Sequence, residues 1–197
     1  MVLSKIAAFH EKNLRDKAMN NSKMTFLNIS TSGLGGRSHP ILNGVITTED
    51  VKAVKPAIKC LTGDYYTYSL RAALMGGSSH CRICPNNGEN TQEPEDIEHV
   101  VAGCVATENI RKSMLTNVVV AMGTTEIPID IDSILQDKTT LCQFLLDCNS
   151  LNLSNATRVN INDPATTEIF RHSRKLIASI HAERLRQIKQ LDKNIPT

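Results

Sequence analysis

Apolar residues recur at helical spacing over most of the chain, and the punctuation between them is rich in Gly, Pro, Asn and Ser. Leu3, Ile6, Ala7, His10, Leu14 and Ala18 predict an amphipathic helix over 3–18. Residues 20–44 read as loop, with a short strand expected at Met24 to Ile29. Thr47-Thr48-Glu49-Asp50 opens a second helix with Thr48 as its N-cap; Val51, Val54, Ala57, Ile58 and Leu61 follow, and Pro56 predicts a break or kink. Ser69 to Met75 continues as helix until Gly76-Gly77 stops it. Helices are also expected over 105–122, with Arg111 and Lys112 exposed, and from Asp132 to Cys148, after a short loop or strand from Pro128 to Ile131. Asp163-Pro164 supplies cap and first-turn proline for a last helix, whose Ile169, Phe170, Leu176, Ile177, Ile180, Ile188 and Leu191 form one stripe. The fold class is therefore mainly α, with a small cysteine- and histidine-bearing loop region embedded in it. Three segments, 1–77, 78–108 and 109–197, are expected to pack as one compact unit.

Composition narrows the function classes. The 197 residues carry 22 Lys+Arg against 20 Asp+Glu, net +2, so the chain is no general polycation. No apolar run reaches the roughly 18 residues a membrane span needs. The amino terminus has too short an apolar stretch for a signal peptide, so an intracellular location, cytoplasm or nucleus, is expected and the Asn-X-Ser/Thr triplets at Asn28, Asn152 and Asn155 read as chance. In a reducing compartment closely spaced cysteines point to metal rather than to disulfides. Gly33, Gly35 and Gly36 lack the Lys-Ser/Thr pair of a phosphate-binding loop.

The chemistry concentrates in Cys81-Arg82-Ile83-Cys84, fourteen residues, His99, four residues and Cys104. A Cys-x2-Cys pair can turn back and present both thiolates to one ion, and His99 and Cys104 can reach the other two corners if a helix or turn begins between them. Four such ligands with no open position suit one structural Zn²⁺, tetrahedral and closed to an activated water. The competing reading, ordinary buried cysteines and a surface histidine, must account for four ligand-type residues within 24 positions. His80 is a neighbouring alternative ligand, expected to face solvent. Cys60, Cys142 and Cys148 fall in apolar patterns and read as core. Between the ligand pairs, Glu89, Glu93, Glu95, Asp96 and Glu98 form an acidic loop that should turn away from phosphate.

Ser79-His80-Cys81-Arg82-Ile83-Cys84 with Asp96-Ile97-Glu98-His99-Val100-Val101-Ala102-Gly103-Cys104 resembles the C-terminal zinc-finger region of non-LTR retrotransposon reverse transcriptases. The resemblance takes in Gly36 to Pro40, Leu61 to Tyr68, Gln143 to Asp147 and the stretch from Ile169 to Leu185, nearly the whole chain, and is strongest to invertebrate members. It implies Cys81, Cys84, His99 and Cys104 as zinc ligands and a nucleic-acid-binding accessory role beside a reverse transcriptase core, in cis or in trans. No paired-aspartate polymerase motif, endonuclease set or RNase H carboxylate set occurs, so no catalysis is expected of this chain itself. The spacing also departs from the short retroviral knuckle, so knuckle-style base recognition is not implied.

From Arg171 to Lys193 the last helix holds Arg171, Arg174, Lys175, Arg184, Arg186, Lys189 and Lys193 against Glu183 and Asp192, a net +5, with His172 and His181 besides. Lys52, Lys55 and Lys59 add a smaller basic row. Such rows bind phosphates with salt-dependent, sequence-tolerant affinity, but they equally describe a solvated helix face. Charge alone leaves the two level, and the resemblance favours RNA or DNA. Of Tyr65, Tyr66 and Tyr68, at least two are expected in the core rather than stacking on bases. A histidine-metal nuclease would need His99 for water activation, which conflicts with its use as a ligand. A zinc-stabilised protein-interaction scaffold is the alternative from another class.

Overall fold

The computed structural model describes residues 12, 16, 24–27, 39–84, 93–123, 131–148 and 164–193. They are mainly helical: α1 (Thr48–Leu61), α2 (Tyr68–Met75), α3 (Glu108–Gly123), α4 (Ile131–Gln136), α5 (Lys138–Asp147) and α6 (Pro164–Lys193). The described residues contain no β-strand, only an isolated bridge between His80 and Pro94. Of the helix expected over 3–18, Lys12 and Asp16 are helical and the rest lies outside the described residues, as do the 33–36 glycines, Glu89, residues 128–130 and Asp163.

The organising element is α6. Its inner face buries Ile169, Phe170, Leu176, Ile177 and Ile180, each at most 1% exposed, and α1, α3 and α5 pack against it. Burying one such side chain contributes about 1.5–3 kcal/mol, so this stripe anchors the core with Phe144, Leu145 and Leu146 of α5. The stripe ends there: Ile188 is half-buried and Leu191 exposed. Helices α1 and α6 run in the same direction, since Asp50 interacts with Arg174 and, two to three turns on, Lys59 interacts with His181.

Four local expectations are corrected. Residues 24–27 form a turn, closed by Leu27 N donating to Met24 O at 3.2 Å, instead of starting a strand. Thr47, not Thr48, caps α1: its hydroxyl accepts from Asp50 N while Asp50 returns a bond to Thr47 N, a complete capping box. Of the break or kink expected at Pro56, the break does not occur, since α1 runs through it. The missing donor would have served the carbonyl of Lys52, an exposed residue, and Pro56 itself is buried. Finally, the helix expected from Asp132 to Cys148 is two helices, because Asp137 is extended and accepts from Thr140 N at 2.6 Å to cap α5. α2 ends at Gly76, φ 75°, where open space would admit a Cβ but the backbone conformation favours glycine.

Candidate metal centre

Cys81 and Cys84 lie on the bend that follows α2, and His99 and Cys104 bracket a π-helical turn, His99–Gly103. On an α-helix residues five apart point roughly 140° away from each other. The wider turn and the extended backbone of Cys104 (φ −65°, ψ 117°) bring the two side chains onto one side. Asp96 sets the turn's start by accepting from His99 N at 2.7 Å.

The four expected ligand atoms come together within 4.8 Å of one another, forming a group that can hold a metal ion. Cys84 Sγ lies 3.6 Å from Cys104 Sγ and 3.4 Å from His99 Nε2. A tetrahedron with bonds of about 2.3 Å to sulfur and about 2.0 Å to nitrogen has S–S and S–N edges of about 3.8 and 3.5 Å, so these separations match a four-coordinate ion. His99 and Cys104 are buried, Cys81 and Cys84 partly so. Hydrogen bonding from Cys81, against the effect of burial, holds the Cys104 thiol down to about 3, and the same bond pushes Cys81 well up. Burial would lower the His99 pKa, but Cys104 and Glu93 outweigh it and raise it. Burial pushes the Cys84 thiol up as well, so Cys104 is the one thiol of the group favoured as a thiolate.

Around the ligands is a second layer. His99 Nδ1 faces Glu93 Oε2 at 3.4 Å, and Glu93 is held by Lys138 Nζ at 3.0 Å. This carboxylate fixes the imidazole so that Nε2 faces the sulfurs. Thr139 donates to Glu98 at 3.1 Å, so the first turn of α5 clasps the site twice. The Lys138 stem passes 3.4 Å from where a Cβ on Gly103 would be.

Among the described acidic residues between the ligand pairs, Glu95 turns into the core. Glu95 is fully buried and pairs with Arg184 of α6, whose guanidinium also lies 5.7 Å over Tyr65 and 5.8 Å over Tyr68. Its Oε1 accepts from Tyr68 N at 2.9 Å, and Glu95 N donates to Ser79 O at 2.8 Å. Arg82, between the first two cysteines, reaches Tyr68 Oη at 3.2 Å and Asp192 at 3.0 Å. A cleft of about 240 Å³ beside Ile97 is bordered by Asp96 and Glu98 and has no Lys or Arg in its lining. His80 bonds Ser78 through Nδ1 at 3.0 Å and stands outside the ligand group. Cys60, Cys142 and Cys148 are buried core thiols, and Tyr65 and Tyr68 are buried while Tyr66 is exposed.

The cations divide by face. Arg174 and Arg184, expected at a phosphate surface, are 2% and 4% exposed. Arg174 Nη1 donates to Ile41 O and Asn43 O, both at 2.6 Å, and Arg184 is spent on Glu95. Arg111, expected on the surface of α3, is also buried. Arg171 pairs with Glu168, Arg186 with Glu183 and Lys52 with Glu49. Lys55, Lys59, Lys175, Lys189 and Lys193 are exposed, and none of them has an ion pair among the described residues. At 100° per residue Arg171, Lys175, Arg186, Lys189 and Lys193 fall on one stripe, opposite the buried face and about 33 Å long. No helix among the described residues is long and apolar enough to cross a membrane. Compared with protein families, with curated proteins and with solved structures, the chain shows no match in any of the three.

Proposed function

We propose that the chain is a zinc-stapled accessory tail of a non-LTR retrotransposon reverse transcriptase, acting inside the cell, that binds template RNA or target DNA and is not catalytic by itself. The observation that carries this reading is the convergence of Cys81, Cys84, His99 and Cys104, the residues that the resemblance to the retrotransposon zinc-finger region names as ligands. Three thiolates and an imidazole at tetrahedral spacing favour zinc over harder cations. With all four corners filled by side chains, the ion would fix the fold rather than activate water.

Phosphate contact falls to the outer stripe of α6, with Lys55 and Lys59 as a second row. The zinc centre, ringed by Glu93, Asp96 and Glu98, would orient these helices instead of touching nucleic acid. The test is titration of the zinc-loaded chain with RNA and with single-stranded DNA at two salt concentrations. Affinity that falls steeply with salt supports the reading, and the absence of binding removes it.

A second reading, a zinc-stabilised scaffold for a protein partner, draws on Leu74 and Met75. They end α2, just before the cysteine pair, and are 71% and 79% exposed. Salt-insensitive or absent nucleic-acid binding by a zinc-loaded chain favours it.

A further inference from the structure

Arg111 reaches inward from α3 to the back of the ligand cluster. It is 9% exposed, and Nη2 donates to the backbone carbonyl of Cys104 at 3.2 Å. Nη1 is buried with no hydrogen-bond partner among the described residues. A buried guanidinium carries a desolvation cost of several kcal/mol unless an anion faces it. The nearby carboxylate on its own helix, Glu108, is engaged by Lys112. The remaining groups whose ionisation would act on Arg111 are the thiols of Cys104 and Cys84.

We infer that Arg111 is the counter-charge of the metal centre. Three thiolates and a neutral imidazole around a divalent ion carry one net negative charge, and a single buried guanidinium brings the assembly to neutrality. The carbonyl bond to Cys104 holds the guanidinium beside that ligand, and Nη1 is left without a competing partner among the described residues. Arg111 is thus a positioning and charge-balancing residue, not a ligand. The inference rests on the metal-binding reading of the cluster.

The full chain is compared with Arg111→Gln, which keeps an N–H donor without the charge, and with Arg111→Lys, which keeps the charge without the fork. Zinc affinity is read by competition with a chromophoric chelator, and ligand geometry by the visible spectrum of the cobalt-loaded proteins. Arg111→Gln should lose about 10- to 100-fold in zinc affinity, Arg111→Lys should recover most of it, and the cobalt spectra should coincide. The zinc-loaded glutamine variant should also be alkylated faster by N-ethylmaleimide, since its thiolates lack the balancing charge. Equal affinity in Arg111→Gln and the parent overturns the inference, as does an Arg111→Lys variant as weak as the glutamine one. If the glutamine variant does not fold, Arg111→Lys decides, and a loss beyond tenfold there overturns it too. A parent chain that binds neither zinc nor cobalt overturns this inference and the metal reading together.

Discussion

Glu95 and Arg184 meet side chain to side chain in the interior, at 0% and 4% exposure, and tie the loop between the two ligand pairs to the long helix α6. The pair is enclosed by Tyr65 and Tyr68, and Tyr68 N adds a bond to the same carboxylate. Removing one partner strands the other as an uncompensated charge. Glu95→Gln or Arg184→Met should therefore cost about 3–5 kcal/mol, read by urea denaturation of the zinc-loaded protein. A loss below about 1 kcal/mol would mean that the pair does not join the metal region to the bundle.

Thiol accessibility should divide the six cysteines into two sets of three. Cys60, Cys142 and Cys148 are at most 1% exposed, and burial pushes the Cys60 thiol up to about 12 and the other two higher than usual. With zinc bound, brief alkylation should modify almost nothing. After chelation Cys81, Cys84 and Cys104 should react, on the proposal that metal binding and folding are coupled over residues 78–108. Mass spectrometry counts the adducts, and labelling of all six on chelation would show instead that the whole core depends on the ion.

Charge variants should separate α6's outer stripe from its buried arginines. Lys175→Ala with Lys189→Ala should leave zinc content and helicity intact and lower the salt slope of nucleic-acid binding by about 1 for each lost phosphate contact. Arg174→Ala should act on stability instead, by orphaning the carbonyls of Ile41 and Asn43. An unchanged slope in the double lysine variant would remove the stripe from the binding surface.

His181 gives the fold an acid-sensitive contact. Its Nδ1 lies 2.8 Å from Tyr65 Oη, and burial, then the charges of Arg184 and Lys59, hold its pKa below the usual histidine value. The unfolded chain therefore takes up this proton before the native protein does. The stabilising contribution is whole above the ordinary value near 6.5 and is lost as pH falls toward the native pKa, by at most about 1.4 kcal/mol per pH unit. His181→Gln should lose less stability between pH 7.5 and 5.5 than the parent, with the metal's own acid sensitivity common to both. Parallel pH profiles would contradict the assignment.

Where periodicity and ligand spacing governed, the sequence was readable. The apolar stripe from Ile169 to Ile180, the stop at Gly76 and the spacing of Cys81, Cys84, His99 and Cys104 all translate directly into structure. The destinations of long charged side chains were not readable. Arg111, Arg174 and Arg184 look like surface cations in a helical pattern, but an arginine stem can carry its head to a carbonyl or carboxylate brought near only by tertiary packing. Glu95 was hidden for the same reason, because its partner is 89 residues away. The break at Asp137 was missed because a helical apolar pattern continues across it.

Metal content of the chain, purified without added metal and compared with Cys84→Ser, tests the central claim most directly. The account predicts one zinc per chain in the parent and none bound stoichiometrically in the variant. A folded parent without metal, or equal zinc in both proteins, would contradict it.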